Sequence, residues 1–562
     1  MRLASLDLRK RLREPLVWWR FGLLSAPILV FLVLGEWLFG AFRVPVGNTG
    51  LYAMGMLRIA HGDFGGFDSF IGTPIAADAG EWVAYLVAPW FAVFGFAGLW
   101  TLWGGCVAVS ALVADVLLDG SIGWLGRVLV AAAVVGSPVI IENFFTSWDF
   151  NILFVPVVLL LELEIRRRGR VWCLAGLALL GVLLKDETGI LLAVYAVSML
   201  VFRRNQIAGY LTILVVSVVG FALSSVAILE LWPNTPSQVA LHFMSVGGRR
   251  GFGGVLVYVF THPGVLVRLW GSNEGYLFRV LFGGAGLASL SAFGVPLLAV
   301  LSINVLGGGP LGSLMSQPQF EFTLLAVPFV ILGMVDVLNR WPKIIRPAFV
   351  VFVLFALVEY AGFMPSAWAT VVPASSKLAW SRLEGAYTRM DIKPVVVTTN
   401  MAGSHFIAAG VAGVGVDSLH RIAAEASVER RPVWLAFDWR MGNDGDFARW
   451  ITRISALARM GVIKEVGRLS SGTLHVYRLQ VTPFLRGGSS VLATKLSVPR
   501  WACRSLHPLM MELAPGIYLV GGQVSSVVGS RLRGHTLIVP PSPYVSSVGF
   551  DCSGSVGLTR IG

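Results

Sequence analysis

The sequence predicts a polytopic α-helical membrane protein with a folded C-terminal domain outside the lipid. Of its 562 residues, 56% are hydrophobic and only 13% are charged, which is too apolar for a soluble protein of several domains. Apolar runs such as 21–42, 207–229 and 348–362 are nearly free of charge, and about 20 such residues suffice for a helix to cross the hydrocarbon core. After Met364 the composition becomes that of an ordinary soluble protein.

The basic residues indicate topology rather than nucleic-acid binding. The formal net charge is +13, but the basic residues form short clusters beside apolar runs instead of one continuous basic surface. By the positive-inside rule these clusters mark cytoplasmic segments. They are the N-terminus within residues 1–20, the turn at 166–170, and the loops that contain Arg203, Arg204, Arg340, Lys343 and Arg346.

Alternating the basic turns with the apolar runs gives about eleven membrane helices within a transmembrane domain at 21–364. The first run lacks a small-residue cleavage site and is expected to remain as a helix. An external loop follows at 43–80, and the short apolar stretch 82–94 is interpreted as partly embedded. The crossings then lie near 100–118, 128–141, 152–165, a hairpin at 171–202, 207–229, two short helices in 280–306, 322–338 and 348–364, with a polar outer loop from about 230 to 278.

An odd number of crossings places the C-terminus outside the cytoplasm, so we expect a bacterial inner (plasma) membrane protein with a periplasmic or extracellular C-terminal region. Residues 365–480 have the pattern of a small α/β domain. Its predicted strands are 394–399, 433–437 and a hairpin of 462–466 with 473–479, and its predicted helices are 400–409 and 446–460. Residues 481–562 predict a β-rich extension.

Four cysteines divide between the two regions. Cys106 and Cys173 fall inside apolar runs and are expected to be core residues. Cys503 and Cys552 lie in the polar C-terminal region, where they are either bonded to each other or free.

Several segments, in order, resemble one family of membrane proteins. They are Asn48 to His61 (NTGLYAMGMLRIAH), Phe144 to Pro156, Leu184 to Glu187 (LKDE), Gln317 to Pro328 and Pro394 to His405. They resemble a family of uncharacterised bacterial and archaeal polytopic proteins that is grouped with the C-type (GT-C) glycosyltransferases. The resemblance covers most of residues 45–480. The resemblance implies a GT-C-like fold. It also implies an enzyme that transfers a sugar from a polyprenyl-phosphate donor to an envelope acceptor at the outer face of the membrane.

The sequence departs from this family at positions that carry acids or histidine elsewhere. Asn48 stands where such enzymes typically have a catalytic aspartate, and an amide cannot act as a general base. Asp78 is followed by Ala79 instead of the family's histidine. The departures keep an alternative open, in which the chain is a catalytically inactive relative that binds or assembles a membrane complex or an envelope glycolipid, with a protein partner.

The acids of the first external loop are the candidate catalytic groups. Sugar transfer needs a carboxylate to deprotonate an acceptor hydroxyl and a cationic group to stabilise the departing lipid phosphate. Asp78 is the first candidate for the base because it precedes an embedded segment, and Asp63 and Asp68 share its loop. Each of them is otherwise a solvated loop carboxylate. The cofactor stays open, with a divalent metal such as Mg²⁺ or Mn²⁺ as one option for the cationic group.

Two further segments are candidates for substrate binding. Trp148 and Asp149 lie in an aromatic-rich outer turn, where rings either stack on a sugar or sit in the interfacial belt. Lys185, Asp186 and Glu187 interrupt an apolar run, and ionisable residues near membrane depth favour a functional or paired role. They either contact a phosphate or metal, or form an interfacial ion pair. A shared site requires Asp78, Asp149 and Asp186 to converge at the outer leaflet.

Three other residues complete the candidate set. His61 follows a helical stretch and is either a phosphate or metal contact or a helix cap. Arg249 and Arg250 lie between glycines and form either an anion-binding loop or a flexible one. No nucleotide-binding glycine motif and no HExxH or paired CxxC spacing occurs, which disfavours soluble nucleotide donors. The absence of an internal repeat disfavours a transporter.

Overall fold

The fold was analysed in a computed structural model of the chain. It describes residues 15–40, 49–62, 67–68, 73–118, 120, 122–146, 148–232, 243, 246, 251–283, 286–307, 321–369, 381–383, 385–387, 389–391, 394–398, 413–414, 432–438, 463–469, 474–479, 496–498, 509–513, 516–521, 523–528, 531–533, 536–539, 546–551 and 556–560.

Helices dominate the first 369 residues. Their bounds are α1 Pro15–Gly40, α2 Thr49–Ala60, α3 Ile75–Ala79, α4 Ala84–Leu117, α5 Trp124–Val135, α6 Pro138–Thr146, α7 Phe154–Arg166, α8 Val171–Val182, α9 Asp186–Phe202, α10 Ile207–Leu231, α11 Gly251–Thr261, α12 Pro263–Ser272, α13 Glu274–Phe282, α14 Gly294–Leu306, α15 Val327–Arg340 and α16 Ile345–Ala369. A short hairpin, β1 Phe67–Asp68 and β2 Thr73–Pro74, lies between α2 and α3.

The helical part is that of a multi-pass membrane protein. Within the described residues, six helical stretches are long and apolar enough to span a bilayer: Pro15–Phe39, Ala84–Leu117, Trp124–Thr146, Arg204–Leu231, Phe322–Arg340 and Pro342–Gly362. The apolar helices α8 and α14 are shorter. Large apolar side chains such as Val93, Leu223 and Val358 are more than 60% exposed, as expected where lipid covers the surface.

The predicted hairpin at 171–202 is confirmed. It consists of α8 and α9, which are joined by a turn at Leu183 to Lys185. Lys185 caps α9, and its backbone N–H donates to the Thr188 hydroxyl at 3.2 Å. That hydroxyl in turn donates to the carbonyl of Gly181 at 2.6 Å, so the turn is tied to both helices.

Helix α4 contains the segment that the sequence left as a short embedded stretch. Residues 82–94 join the following crossing in one 34-residue helical element that is broken at Gly95, whose φ of 57° and ψ of −144° are not helical. Glycine tolerates this backbone conformation without the clash that a Cβ would cause. Before the break, Val87 and Phe91 are buried, whereas Val93 and Phe94 are exposed.

The prediction of a polar outer loop at 230–278 is wrong in its secondary structure. The structure places three helices there, α11, α12 and α13. Pro263 starts α12 at a position where its missing N–H costs nothing, and Asn273 separates α12 from α13. The two short crossings expected in 280–306 are also changed, because only α14 forms a longer helix and residues Leu287–Leu290 form a 3₁₀ turn.

The predicted strands of the C-terminal region are confirmed. Strands β3 Val395–Thr398, β4 Gly413–Val414, β5 Val433–Asp438, β6 Ile463–Leu469 and β7 Leu474–Leu479 form one sheet in the order β4-β3-β5-β7-β6. β3 pairs in parallel with β4 and β5, whereas β7 pairs antiparallel with β5 and β6. The helices expected at 400–409 and 446–460 lie outside the described residues.

The β-rich extension is also confirmed. Its eight strands within the described residues are β8 Leu496–Val498, β9 Leu509–Leu513, β10 Gly516–Gly521, β11 Gln523–Val528, β12 Arg531–Arg533, β13 Thr536–Val539, β14 Ser546–Asp551 and β15 Val556–Arg560. They form a five-stranded sheet, β12-β13-β10-β15-β8, and a three-stranded sheet, β11-β14-β9, both antiparallel. Cys503 and Cys552 lie outside the described residues.

The chain divides into two compact units. The first, which we name the helical unit, contains Met1–Gly40, Ile59–Gly62 and Ile75–Ala369. The second contains Ala41–Arg58, Asp63–Pro74 and Thr370–Gly562. The β1–β2 hairpin of the first loop and most of α2 therefore belong to the same unit as the C-terminal strands.

Glycines allow close packing of α1 against α4. A Cβ on Gly104 would lie 2.7 Å from Ile28 Cα and 2.9 Å from the Pro27 carbonyl oxygen, both backbone atoms of α1. A Cβ on Gly35 would overlap the indole of the buried Trp100. Small residues are used in this way where membrane helices approach closely.

We expect Gly104→Val to destabilise the helical unit, because the new side chain meets backbone that cannot move aside. Overpacking of this kind costs about 1–3 kcal/mol or more. The measurement is the midpoint of thermal unfolding of the detergent-purified protein. Gly105→Val is the matched control, because nothing lies within 4 Å of a Cβ at Gly105, and equal midpoints for the two variants would contradict this packing.

Candidate functional site

A buried ion cluster surrounds Lys185 at one end of the helical unit. The Lys185 side chain is 4% exposed, and its ammonium lies 3.1 Å from Asp149 Oδ2 and 3.4 Å from Glu81 Oε1. Both carboxylate side chains are fully buried. The ammonium also lies 5.2 Å from the ring centroid of Phe322, which is a favourable cation–π distance. We name Glu81, Asp149 and Lys185 the lysine cluster.

Three separate segments position the lysine cluster. Lys185 precedes α9, Asp149 precedes α7, and Glu81 precedes α4. Asp149 is fixed because its Oδ1 accepts the backbone N–H of Asn151 at 2.7 Å, which caps the 3₁₀ turn Phe150–Leu153. The loop beside Glu81 is tied to the α8–α9 turn by the Val83 N–H, which donates to the Leu183 carbonyl at 2.8 Å.

The lysine cluster lies at the end of the helices opposite the basic turns. Helix α7 runs from the neighbourhood of Asp149 to Arg166, and α8 runs from Arg170 toward Lys185. Asp149 and Lys185 are therefore separated from the arginine turns by the full lengths of two helices. Burial of three charges together at a helix end requires that they compensate one another.

Two more acids adjoin the lysine cluster. Asp186 and Glu187 occupy the first turn of α9, where the helix dipole favours negative charge. Glu187 interacts electrostatically with both Lys185 and Asp149, and its Oε2 is buried without a hydrogen-bond partner among the described residues. The neighbourhood therefore holds four acidic residues, two of which contact the ammonium.

The structure brings the backbone near Asp78 to this neighbourhood. A Cβ built on Gly80 would overlap the Asp186 carboxylate, and Gly80 has a φ of 72°, so glycine is required twice over. Asp78 lies in α3, two residues earlier. Only the backbone of Asp78 is described, and the contact found is that of the Asp186 carboxylate with the chain that follows Asp78, at Gly80.

The remaining sequence candidates lie elsewhere or outside the described residues. Trp148 is a core residue, fully buried, and its indole N–H donates to the Leu99 carbonyl at 3.2 Å. His61 is exposed in the turn after α2. Asp68 lies in β1 with only its backbone described. Asp63, Arg249 and Arg250 lie outside the described residues.

Sequence reasoning missed Glu81, which completes the lysine cluster. It also missed a second charged group, in which the half-buried Arg279 lies 2.5 Å from Glu359 and 3.7 Å from the buried Glu142. The available signal was the same for both, namely an acid at the edge of or inside an apolar run. Which acid pairs with which base depended on tertiary packing.

The residues described do not provide a metal-ligand set. No group of three or more His, Cys, Asp or Glu side chains in the described ranges has an arrangement that fits a metal ion. At the lysine cluster the ammonium of Lys185 takes the position of a cation between Glu81 and Asp149. The Mg²⁺ or Mn²⁺ option therefore gains no support from this cluster.

Comparisons with known proteins give matches of low identity to solved structures. No family model matches the sequence, and no curated protein matches it. Two similar solved structures are crystal structures of ArnT from Cupriavidus metallidurans. The one bound to undecaprenyl phosphate has 14% sequence identity and a TM-score of 0.44, with 84% of this chain and 99% of that chain covered. The apo structure has 14% identity, a TM-score of 0.43, and coverage of 83% and 99%.

We expect Lys185→Met to destabilise the helical unit strongly, because Glu81 and Asp149 would be left buried without their countercharge. Removing one partner of a buried pair typically costs about 3–5 kcal/mol. The measurement is the thermal midpoint in detergent, with Lys343→Met as control because Lys343 is exposed. Adding Asp149→Asn to Lys185→Met should recover part of the loss. An unchanged midpoint for Lys185→Met would contradict the structural role of the lysine cluster.

Proposed function

We propose that the chain is a membrane glycosyltransferase that transfers a sugar from a polyprenyl-phosphate donor to an envelope acceptor at the outer face of the membrane. The observation that carries the proposal is the lysine cluster. It gathers Asp149 and Lys185, which belong to two separate segments that resemble the GT-C-related family, at the end of the helices opposite the basic turns. By the positive-inside rule that end faces away from the cytoplasm.

The transfer would use the residues of this neighbourhood in two roles. A carboxylate takes the proton of the acceptor hydroxyl while that oxygen forms the new bond to the anomeric carbon of the sugar. The bond from the anomeric carbon to the phosphate oxygen breaks, and the polyprenyl phosphate leaves with the electron pair. Asp78 is our proposed base, and Lys185 is the proposed countercharge for the departing phosphate.

The position of Lys185 suits a phosphate contact that forms only when a substrate enters. Its charge is held at a defined place by Asp149 and by the ring of Phe322. A phosphate oxygen that approached the ammonium would compete with the longer of the two ion pairs, the one to Glu81 at 3.4 Å. The polar atoms around the cluster suit the hydroxyl groups of a sugar, which need acceptors when they leave water; one of these atoms is Glu187 Oε2, which has no hydrogen-bond partner among the described residues.

The second candidate is an inactive relative that binds an envelope glycolipid or a partner subunit. The specific observations in its favour are Asn48, where the related enzymes typically have an acid, and the pairing of Lys185 with two carboxylates. A lysine that is already compensated has a sufficient structural reason to be there. For the enzyme, loss of a carboxylate is expected to lower the rate of sugar transfer. For the inactive relative, it is expected to change the binding of the glycolipid or the partner subunit.

We expect Asp78→Asn to abolish sugar transfer by the full chain in lipid nanodiscs, because an amide cannot accept the acceptor proton. General-base catalysis typically contributes a factor of about 10²–10⁴. The measurement is the release of polyprenyl phosphate from a panel of polyprenyl-phosphate sugars, with and without added Mg²⁺ or Mn²⁺. Glu230→Gln is the control, because Glu230 is an exposed acid at the non-basic end of α10 and its loss should leave the rate unchanged.

The outcomes separate the two candidates. Transfer by the wild-type chain that falls in Asp78→Asn but not in Glu230→Gln supports the enzyme. Tight binding of the lipid without any transfer, together with a stoichiometric partner that co-purifies from membranes, supports the inactive relative. Transfer that is unchanged in Asp78→Asn would remove that residue from the proposed mechanism.

A further inference from the structure

The basic end of the helical unit contains two arginine-rich turns that lie side by side. The turn after α7 carries Arg166, Arg167, Arg168 and Arg170, and the turn before α10 carries Arg203 and Arg204. Glu162 joins them, because its Oε1 lies within 2.8 Å of Arg166 Nε and 2.5 Å of Arg203 Nη1. We name these two turns together the arginine face.

Only part of the charge on the arginine face is compensated. Arg166 and Arg203 pair with Glu162, and Arg203 also pairs with Asp336 at 2.7 Å. The other four arginines of the two turns are exposed and make no salt bridge among the described residues: Arg167, Arg168, Arg170 and Arg204. Several uncompensated guanidinium groups on one surface attract an anion with several oxygen atoms.

Arg168 occupies a backbone position that opposes its residue type. The Arg168 N–H donates to the Ile165 carbonyl and the Gly169 N–H donates to the Glu164 carbonyl, at 3.1 and 2.7 Å. This is the hydrogen-bond pattern of a Schellman helix end, in which the left-handed position normally holds glycine. Arg168 holds that position with a φ of 53°, the only positive φ of a non-glycine residue in the described ranges.

The positive φ of Arg168 indicates that its side chain contributes more than the strain that glycine would avoid at this position. Unfavourable backbone conformations tend to persist where a side chain has a function. An arginine at a helix C-terminus interacts favourably with the helix dipole, but the Arg168 side chain is exposed and makes no salt bridge among the described residues. Its charge is therefore accessible to a ligand outside the helix.

Apolar and aromatic side chains next to the arginine face identify the kind of ligand. Trp172 is 67% exposed, with the Arg170 guanidinium 5.9 Å from its ring centroid. Phe202 and Ile207 beside the second turn are 57% and 50% exposed. Exposed guanidinium groups beside exposed apolar side chains match an amphiphile that has an anionic head group and acyl chains.

We infer that the arginine face is a binding site for an anionic phospholipid head group in the leaflet at the basic end of the helices. The inference does not depend on the proposed sugar transfer, because the arginine face and the lysine cluster lie at opposite ends of α7 and α8. Arg167, Arg168 and Arg204 contact the head-group phosphate, and Trp172 packs on the upper acyl chain.

The first test compares lipid selection by the full chain. The protein is reconstituted in nanodiscs of equal parts phosphatidylglycerol and phosphatidylcholine, extracted in mild detergent, and its retained lipids are counted by native mass spectrometry. We expect phosphatidylglycerol to be enriched on the wild type, with a decrease of about fivefold for each arginine removed. The triple variant R167Q/R168Q/R204Q should retain both lipids equally.

The matched control is K343Q/R346Q, which removes two exposed charges from another basic loop of the same end. It should lower the enrichment much less than the triple variant does, because its two residues lie outside the arginine face. Wild-type enrichment in the triple variant, or an equal loss in the control, would overturn the inference and leave the arginines as topology signals only.

The second test uses Arg168→Gly, which separates lipid binding from folding. Glycine relieves the left-handed strain, so the thermal midpoint in detergent should be equal to or above that of the wild type. Phosphatidylglycerol enrichment should nevertheless fall about fivefold. A lower midpoint together with unchanged enrichment would show that Arg168 serves the helix end and not a lipid.

Discussion

The buried ammonium of Lys185 constrains the non-basic end of the helical unit more than any other described interaction. Moving an ammonium or a carboxylate out of water costs several kcal/mol for each ion unless close partners replace the water. Lys185 and its two carboxylates are almost completely buried, so each is tolerated only while the others stay in place. The segments before α4, α7 and α9 must therefore meet in one arrangement.

This mutual dependence has a consequence for any ligand at the same place. A phosphate that binds Lys185 replaces carboxylate contacts, and Glu81 or Asp149 must then find another partner or take up a proton. Asp149 lies closer to the ammonium than Glu81 does, 3.1 Å against 3.4 Å, and the other carboxylate oxygen of Asp149 accepts the Asn151 N–H.

The sequence predicted several of the membrane helices because the hydrophobic requirement is local and strong. The α8–α9 hairpin followed from an apolar run too long for one crossing and interrupted by Lys185 to Glu187. The helices α12 and α13 were missed because short amphipathic helices with polar residues between them resemble a polar loop in composition. Helix α11 is apolar, but at 11 residues it is shorter than a membrane crossing. The break at Gly95 was also missed, since glycine inside an apolar run gives no sign of whether it bends the chain.

The candidate site was only partly predictable for a different reason. Lys185 and Asp149 were recognisable because each charge interrupts an apolar or aromatic segment. Glu81 was not, since it stands at the border of an apolar run where a solvated acid is equally reasonable. Its role depends on the hydrogen bond between Val83 and Leu183, which joins residues a hundred positions apart.

The two ends of the helical unit carry an excess of charge of opposite sign, exposed at one end and buried or half-buried at the other. At the basic end, exposed arginines exceed the acids beside them, and Arg168 keeps its charge at the expense of backbone strain. At the other end, acids exceed the single buried lysine, and the excess is buried or half-buried. An exposed excess of charge is neutralised cheaply by lipid head groups or counterions, whereas a buried excess calls for a specific partner. The acid-rich end therefore needs specific partners for its charges, whereas the basic end does not. This asymmetry is the physical reason for seeking substrate chemistry at the acid-rich end and lipid binding at the basic end.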